Sequence, residues 1–314
     1  MIRTVTGKIK KEEIGTVLMH EHVSCSSLSF ERAFGKGWLD KTRLESLASE
    51  AIKQVRENDR LGLMVDGTPI DLGRDAILLK TISELSGVKI VASTGFYYLE
   101  SIEAMNNSPE ELADFLIDEC ENGILDTDIK PGILKCATGE NGITKDNKTK
   151  LSAVGIVQNK TGLPLYVHSD HREDIVEQQL KILLESGANA EKIIIGHCAI
   201  RPDAEYLVKI LDRGCYICMD QCHCDIQRLP KIASALVDLC NKGYTEKILL
   251  SNDYCIHNDC CHRSKNGFHL NAPQHADGLG YIFHTLYPQF LSVGGSEDYW
   301  NMMTSKNPIT VLDV

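Results

Sequence analysis

The chain has 314 residues, more than one ordinary hydrophobic core needs, but barrels and large α/β units reach this length as one domain. Its composition, 43% hydrophobic and 25% charged, is typical of a globular protein, and no apolar run is long enough to span a bilayer. The formal net charge of −11 argues against a nucleic-acid partner, because binding to phosphates needs a basic surface.

Eight short apolar segments, each closed by polar or turn residues, predict β-strands. In chain order they span residues 17–22, 61–68, 88–93, 132–136, 163–168, 192–197, 215–220 and 247–253. Helical patterns lie between them at residues 40–58, 73–85, 109–120, 145–160, 173–185, 203–211 and 229–241, and a terminal helical region spans 274–303. Asp40 and Ser108 are the expected N-caps of two of these helices.

Strands and helices alternate at intervals of roughly thirty residues, as parallel βαβ units do. Eight such units predict an α/β fold, a (β/α)8 TIM barrel whose active site lies at the C-terminal ends of the strands. A doubly wound open sheet is the alternative, although no Gly-x-Gly-x-x-Gly follows the first strand to indicate a dinucleotide-binding form. Because the chain shows no internal repeat or linker, we expect residues 1–314 to form a single domain.

Two histidines, His20 and His22, close the first predicted strand. Alternate side chains of a strand point to the same face, so the two imidazoles would project together. Two neutral imidazoles on one rigid element make half of a transition-metal site. Taken alone, however, such a pair is more often a surface feature of an edge strand.

Four further predicted strands end in polar residues: Lys135, His168, His197 and Asp253. Each has a plain alternative by itself, as a hydrogen-bonded core histidine, a solvated lysine or a capping aspartate. Four histidines and a carboxylate at one mouth of a parallel barrel are hard to explain as packing, since buried polar groups without partners cost free energy. A metal would take their lone pairs directly, so the sequence predicts a metal centre.

Five segments carry a resemblance to the phosphotriesterase-like family of the amidohydrolase superfamily. They are Met-His-Glu-His at 19–22, Gly-Ile-Leu-Lys-Cys-Ala-Thr at 132–138, Tyr-Val-His at 166–168, Ile-Gly-His at 195–197 and Leu-Ser-Asn-Asp-Tyr-Cys at 250–255. The closing Lys-Asn-Pro at 306–308 also resembles the family's C-terminal Asn-Pro segment. The resemblance covers essentially the whole chain and keeps the family's order and spacing.

This resemblance implies a hydrolase with two divalent metal ions. His20, His22 and Asp253 would hold the buried ion, and His168 and His197 would hold the more exposed one. Zinc is the favoured metal, and manganese, cobalt or iron are open alternatives because nitrogen and oxygen ligands accept all of them.

The resemblance also gives Lys135 a role, as an N6-carboxylated lysine that bridges both ions. An ammonium beside two dications would be repelled, whereas the carbamate formed with carbon dioxide is an anionic oxygen ligand. The lysine also distinguishes this family from similar nucleases, which carry Glu at the fourth strand, and from mononuclear deaminases, which lack the bridge.

The hypothesis for the reaction is that a hydroxide bridging the two ions attacks the substrate and Asp253 carries the proton to the leaving group. The family includes phosphotriesterases, acyl-homoserine lactonases, carboxylesterases and lactonases acting on phosphorylated sugar lactones. Gln221 follows Asp220 where the acyl-homoserine lactonases typically show Arg, which disfavours that substrate. We expect a small polar lactone, for example a phosphorylated sugar lactone; carboxylesterase or phosphotriesterase activity in the same site is the alternative.

Four loop residues are the expected substrate contacts. Tyr97 or Tyr98, after strand three, lies where the family often places a tyrosine facing the substrate. Arg228 and Arg263 lie on the loops after strands seven and eight, and Arg263 is the expected contact to an anionic group. An exposed loop cation is the alternative interpretation of Arg263.

The twelve cysteines are expected to be reduced thiols in the cytoplasm, because the N-terminus shows no secretory signal. The loop cysteines Cys222, Cys224, Cys260 and Cys261 are expected to line a pocket mouth. A second, structural zinc site is the less favoured alternative, since their spacing differs from that of zinc fingers.

The expected partners are a small-molecule ester or lactone and a second copy of the chain, since relatives suggest a homodimer; no nucleic acid or membrane is expected. The alternative from another functional class is a non-catalytic barrel that binds a ligand. A degenerate family member should have lost at least one metal ligand, and this chain has lost none.

Overall fold

The structure, a computed structural model, describes residues 1–171, 174–259 and 277–314. Its strands are β1 (Ile2–Thr4), β2 (Gly7–Ile9), β3 (Thr16–Cys25), β4 (Leu61–Asp66), β5 (Lys89–Gly95), β6 (Ile133–Ala137), β7 (Leu165–His168), β8 (Ile193–Ile195), β9 (Tyr216–Met219), β10 (Ile248–Leu250) and β11 (Cys255–Asn258). Its α-helices are α1 (Leu28–Phe34), α2 (Lys41–Asp59), α3 (Ala76–Ser86), α4 (Ile102–Asn106), α5 (Pro109–Asn122), α6 (Lys145–Thr161), α7 (Ile175–Glu185), α8 (Ala204–Leu211), α9 (Leu229–Asn241), α10 (Tyr287–Ser292), α11 (Glu297–Asn301) and α12 (Asn307–Leu312). Two π-helical segments, Ile282–Leu286 and Met302–Lys306, precede α10 and α12.

Within the described residues, nine strands form one sheet in the order β10-β9-β8-β7-β6-β5-β4-β3-β11. Every neighbouring pair in this sheet is parallel, and helices lie between most consecutive strands of the chain. Parallel neighbours need such crossovers, which cover the sheet with helices. The predicted α/β class with a parallel sheet is therefore confirmed.

The two edge strands of this sheet, β10 and β11, are consecutive in the chain, with residues 251–254 between them. The amide of Asp253 donates to the carbonyl of His20 at 2.9 Å, and the amide of His22 donates to the carbonyl of Tyr254 at 2.9 Å. The segment that leaves β10 therefore runs along β3. The sheet is curled, and the C-terminal ends of β3 and β10 lie side by side.

Both faces of the sheet are buried, which explains why its strands read as continuous apolar runs. Successive residues of β3 point to opposite faces, so Val17 and Met19 pack in one apolar cluster and Leu18 in another. The smaller cluster takes residues from β3 to β10: Val17, Met19, Leu63, Val65, Val91, Ile133, Tyr166, Ile194, Tyr216, Cys218 and Leu249.

The two expected helix caps are confirmed. Asp40 accepts a hydrogen bond from an amide in the first turn of α2, and Ser108 forms a capping box at the start of α5. The helix predicted over residues 73–85 begins later, at α3, because Asp75 accepts from an amide of its first turn and caps it there.

Several short elements were not expected from the sequence. The first predicted strand continues to Cys25 because β11 pairs with its second half. The antiparallel pair β1–β2 and the helices α1 and α4 are too short to give a periodic pattern. The terminal helical region divides into several helices and continues to Leu312. Over the described ranges, none of the helices combines the length and apolar character that a membrane crossing requires.

Gly95, at the end of β5, is a position where only glycine fits. Its φ is +129°, and a Cβ added there would lie 1.9 Å from the carbonyl oxygen of Lys135.

The change Gly95→Ala should lower the free energy of unfolding by about 2 kcal/mol or more, because the methyl group meets backbone that cannot rotate away. Urea unfolding measures this difference. Gly37→Ala is the matched control, since nothing lies within 4 Å of its added Cβ. Equal unfolding midpoints for the two variants would contradict the prediction.

Candidate metal centre

Six polar side chains meet at the C-terminal edge of the curled sheet, on or just after its strands. They are His20 and His22 of β3, Lys135 of β6, His168 of β7, His197 after β8 and Asp253 after β10. The structure thus brings together every residue that the sequence predicts as a metal ligand. Parallel strands deliver these residues to one edge because all of them end there.

His20, His22 and Asp253 form a compact group, in which one ligand atom of each lies within 4.8 Å of the others. The Oδ1 atom of Asp253 lies 3.1 Å from Nε2 of His22 and 3.5 Å from Nδ1 of His20. Its Oδ2 atom lies 3.6 Å from Nδ1 of His197. Asp253 therefore stands between the two histidines of β3 and the rest of the site.

Lys135, His168 and His197 extend this group. The Nζ atom of Lys135 lies 2.6 Å from Nε2 of His20, and Nδ1 of His168 lies 2.6 Å from Nε2 of His197. The rings of His20 and His197 are 5.4 Å apart, centroid to centroid. All six side chains therefore belong to one connected cluster.

The donor atoms of this cluster suit a divalent cation. Burial, reinforced by Lys135, lowers the pKa of His20 to about 3. Burial, together with His197 and Lys135, lowers the pKa of His168 well below its ordinary value. Both imidazoles are thus neutral at neutral pH, which is the form that binds a metal. Nδ1 of His168 and Nε2 of His197, at a hydrogen-bond distance of 2.6 Å, bring two ring nitrogens that can serve as metal ligands to one place, so the donor set fits a metal site.

Lys135 is only 1% exposed, and its Nζ atom lies 4.4 Å from the centre of the Tyr166 ring. Burial lowers the pKa of its amine. A lysine whose pKa is lowered offers more of the neutral, nucleophilic amine. Such an amine is the species that can react with carbon dioxide.

Asp220, directly after β9, is a site residue that the sequence-based list of ligands missed. Its Oδ2 atom lies 2.9 Å from Nδ1 of His20, and its Oδ1 atom lies 2.9 Å from Nδ1 of His197. The hydroxyl of Tyr166 also donates to it. Burial alone would raise the pKa of Asp220, but the contacts with His197 and His20 hold it well below its usual range. The sequence feature that could have identified Asp220 is its position at the end of the seventh predicted strand.

Glu21 is buried behind the cluster and holds the segment that carries Asp253. Its Oε1 atom accepts hydrogen bonds from the Ser251 hydroxyl and the Asn252 amide, both at 2.8 Å. Its Oε2 atom accepts from the Tyr254 amide at 2.8 Å. Because side chains alternate along β3, Glu21 lies on the face opposite to His20 and His22, and these contacts give it a structural role.

Three non-glycine residues at the strand ends have a left-handed backbone: His197, Gln221 and Asp253, with φ of 59°, 58° and 57°. This conformation is uncommon for non-glycine residues because it strains the backbone. It persists where the surrounding structure imposes it, often at functional sites. Nε2 of Gln221 donates to Oδ2 of Asp253 at 2.7 Å, so two of the strained residues hold each other.

A cavity of about 330 Å³ opens above the cluster. It is lined by His22, Cys25, Leu72, Tyr97, Tyr98, Leu99, Lys135, His168, Gln221, His223, Cys224, Asp253, Tyr254, Cys255 and Asn258. The rings of Tyr97 and Tyr98 lie 5.2 Å and 5.7 Å from the ring of His168. Both tyrosines expected to face the substrate are therefore in its wall.

Arg228, an expected substrate contact, is not among the described residues that line the cavity. Its guanidinium donates to the carboxylate of Asp225 and the carbonyl of Ile200. The contact with Asp225 holds this side chain beside the start of α9. Arg263 lies outside the described residues.

The loop cysteines do not form the alternative zinc site in the described ranges. Cys222 is buried and Cys224 lines the cavity, whereas Cys260 and Cys261 lie outside the described residues. Among the residues that the structure describes, no group able to hold a metal ion includes Cys222 or Cys224.

Asp220→Asn should weaken zinc binding by about 10- to 100-fold, because an amide cannot accept from both His20 and His197 and their rings lose their orientation. Titration of metal-depleted protein against a chromophoric chelator measures the affinity. Asp225→Asn, on the exposed loop after β9, is the control and should leave the affinity unchanged. Equal zinc affinities for the wild type and Asp220→Asn would contradict the orienting role.

Comparisons with known proteins agree with this geometry. The model of the phosphotriesterase family matches residues 1–312. An aryldialkylphosphatase from Saccharolobus solfataricus is 32% identical over 252 residues, covering 79% of each chain. A phosphotriesterase homology protein from Mycobacterium tuberculosis is 30% identical over 272 residues, covering 82% of each chain. The N-acetyltaurine hydrolase of Rattus norvegicus is 27% identical over 351 residues, covering 98% of this chain and 96% of its own. Since the family model matches nearly the whole chain, this protein belongs to the phosphotriesterase family and is a hydrolase.

Proposed function

We propose that this chain is a binuclear metal-dependent hydrolase whose substrate is a small polar lactone, with a phosphorylated sugar lactone as the first candidate. The observation that carries the proposal is the convergence of four histidines, a lysine and a carboxylate at one cavity. A site for a non-reacting ligand would not need so many buried metal-binding groups, because each costs free energy to desolvate.

We also infer that the sheet is a closed (β/α)8 barrel, with β10 and β11 as two parts of its eighth strand. The support is the pair of backbone hydrogen bonds that joins residues 251–254 to His20 and His22. A closed barrel directs the C-terminal ends of all its strands to one mouth. That mouth would be the edge at which the metal-binding cluster lies.

The ligand assignment follows the two groups of contacts. His20, His22 and Asp253 would hold one ion, His168 and His197 would hold the second, and Lys135 would bridge them as a carbamate. Zinc is the first candidate for these nitrogen and oxygen donors, ahead of manganese, cobalt and iron. When bound, two such cations supply a water of lowered pKa and polarise a carbonyl or phosphoryl oxygen.

Asp253 is the residue that would move the proton. It lines the cavity, and Gln221 fixes its carboxylate through the hydrogen bond to Oδ2. Burial alone would raise the pKa of Asp253, but His20, His197 and His22 hold it well below its ordinary value. It is therefore ionised at neutral pH, which is the form needed by a residue that takes a proton during the attack and delivers it to the leaving group. The side-chain amide of Gln221 does not ionise at neutral pH, so its role is to orient the carboxylate of Asp253.

The cavity suits a small polar substrate. Its volume of about 330 Å³ is at the lower end of the range for small-molecule sites. The hydroxyls of Tyr97 and Tyr98 and the amide groups of Gln221 and Asn258 offer hydrogen-bond partners in its wall. The names of the relatives cover a phosphate ester and an N-acyl compound, so the bond that is cleaved must be found by experiment.

Binding of a phosphorylated substrate would need a cationic side chain near the cavity mouth to contact the phosphate. Among the described residues that line the cavity there is no arginine, and Lys135 is placed at the metal centre. Arg263 therefore remains the candidate for a contact to phosphate, as expected from the sequence. The homodimer and the cytoplasmic location also remain predictions.

A substrate panel tests the proposed function. Zinc- or manganese-loaded protein should hydrolyse a polar lactone with a higher kcat/KM than a matched carboxylester, an aryl dialkyl phosphate or an N-acyl amide. A phosphorylated sugar lactone and its dephosphorylated form give the matched pair for the role of the phosphate. Asp253→Asn should retain both metals and lose kcat by about 10²- to 10⁴-fold, because its amide cannot relay a proton.

Two outcomes would contradict this proposal. Full activity of a metal-loaded Asp253→Asn variant would remove the proton-transfer role. Protein with two bound metal ions per chain that hydrolyses no member of the panel would contradict hydrolysis of this substrate class. Metal content below one equivalent per chain would instead favour the non-catalytic ligand-binding alternative.

The carbamate on Lys135 has its own test. Protein loaded with metal in ¹³C-bicarbonate should give a carbamate carbonyl signal by NMR, since the buried amine of lowered pKa is nucleophilic. Lys135→Met should lack this signal and bind less metal. Absence of the signal in fully metal-loaded wild-type protein would overturn the assignment.

A further inference from the structure

Two cysteines, Cys25 and Cys255, face each other in the wall of the cavity, beside the metal-binding cluster. They come from the neighbouring parallel strands β3 and β11, in which Cys255 is paired with His22. Their Sγ atoms are 3.8 Å apart. One ligand atom each from His22, Cys25 and Cys255 lies within 4.8 Å of the others.

The sulfur–sulfur distance is that of two ligands of one metal ion. With zinc–sulfur bonds of about 2.3 Å and tetrahedral angles, two thiolate ligands lie about 3.8 Å apart. A disulfide would require a separation of about 2 Å. The observed 3.8 Å suits both an S–H···S contact between two thiols and shared coordination to one ion, whereas oxidation requires the two sulfurs to approach.

His22 has one nitrogen to offer to this group. Its Nδ1 atom lies 2.8 Å from the hydroxyl of Thr68, which orients the ring. Its Nε2 atom lies 3.1 Å from Oδ1 of Asp253. One imidazole nitrogen binds one ion at a time, so His22 can serve either Asp253 or the two cysteines.

We propose that His22, Cys25 and Cys255 form a site for a thiophilic divalent cation, such as zinc or cadmium, that shares His22 with the proposed hydrolytic centre. Thiolate ligands select soft cations over those that prefer oxygen. Binding would deprotonate both thiols, form two metal–sulfur bonds and release two protons to solvent. Three protein ligands leave the fourth coordination position open toward the cavity.

Because the thiol site and the hydrolytic centre share His22, metal binding at one site competes with metal binding at the other. A soft cation held by the cysteines would withdraw His22 from His20 and Asp253. An excess of such a cation should therefore displace metal from the hydrolytic centre, while a cation that prefers oxygen should not enter the thiol site. This inference does not rest on the substrate or on the hydrolytic reaction.

Cobalt(II) is the probe. Metal-depleted full-length protein, kept reduced with a phosphine and without oxygen, is titrated with cobalt(II) and followed for thiolate-to-cobalt charge-transfer absorption in the near ultraviolet. We expect this absorption in the wild type and its loss in Cys25→Ser and in Cys255→Ser. Cys224→Ser is the matched control, because Cys224 lines the same cavity outside the proposed ligand group and should keep the absorption.

A second measurement needs no variant. Zinc-edge X-ray absorption of the wild-type protein should show sulfur neighbours beside nitrogen and oxygen. Cobalt or zinc bound with nitrogen and oxygen neighbours only would overturn the thiol site while leaving the hydrolytic centre intact. Absorption that is lost in Cys224→Ser and kept in the other two variants would overturn it as well. A disulfide between Cys25 and Cys255 in freshly prepared reduced protein, found by mass spectrometry, would also contradict it.

Discussion

One buried carboxylate, Asp220, sets the direction of two histidines at the metal centre. It contacts Nδ1 of His20 and Nδ1 of His197, which come from strands far apart in the sheet order. Since each ring has its Nδ1 engaged there, its Nε2 turns inward, toward Lys135 in one case and His168 in the other. The geometry of the cluster therefore depends on a residue that is not itself in the predicted ligand set.

The second constraint is the attachment of the last strand to the first. Glu21 accepts hydrogen bonds from the segment after β10, and that segment carries Asp253 into the cluster and Cys255 into the cavity wall. The carboxylate of Glu21 thus helps to position two side chains of different chemistry, the carboxylate of Asp253 and the thiol of Cys255. His22 belongs both to a group with His20 and Asp253 and to a group with the two thiols of Cys25 and Cys255. With the proposed thiol site, this shared ligand would let the protein distinguish soft from hard cations.

Periodicity and capping residues were enough to predict the parallel α/β architecture and the six clustered residues. Each strand is buried on both faces and ends in a polar residue, so its limits are visible in the sequence. Asp220 was left out of the predicted ligand set, although its position at the end of a predicted strand is the same signal that identified Asp253. Arg228 is not among the described residues of the cavity wall, since a loop side chain points where local partners, here Asp225, draw it.

The sequence by itself determined which residues reach the C-terminal edge of the sheet, since the alternation of apolar strands and helices leaves parallel strands no other direction. Only the tertiary structure decided how those residues face one another. The contacts of Cys25 with Cys255 and of His22 with Asp253 join residues more than 200 positions apart in the chain. Such contacts arise from the curling of the sheet, and no local pattern records that curvature.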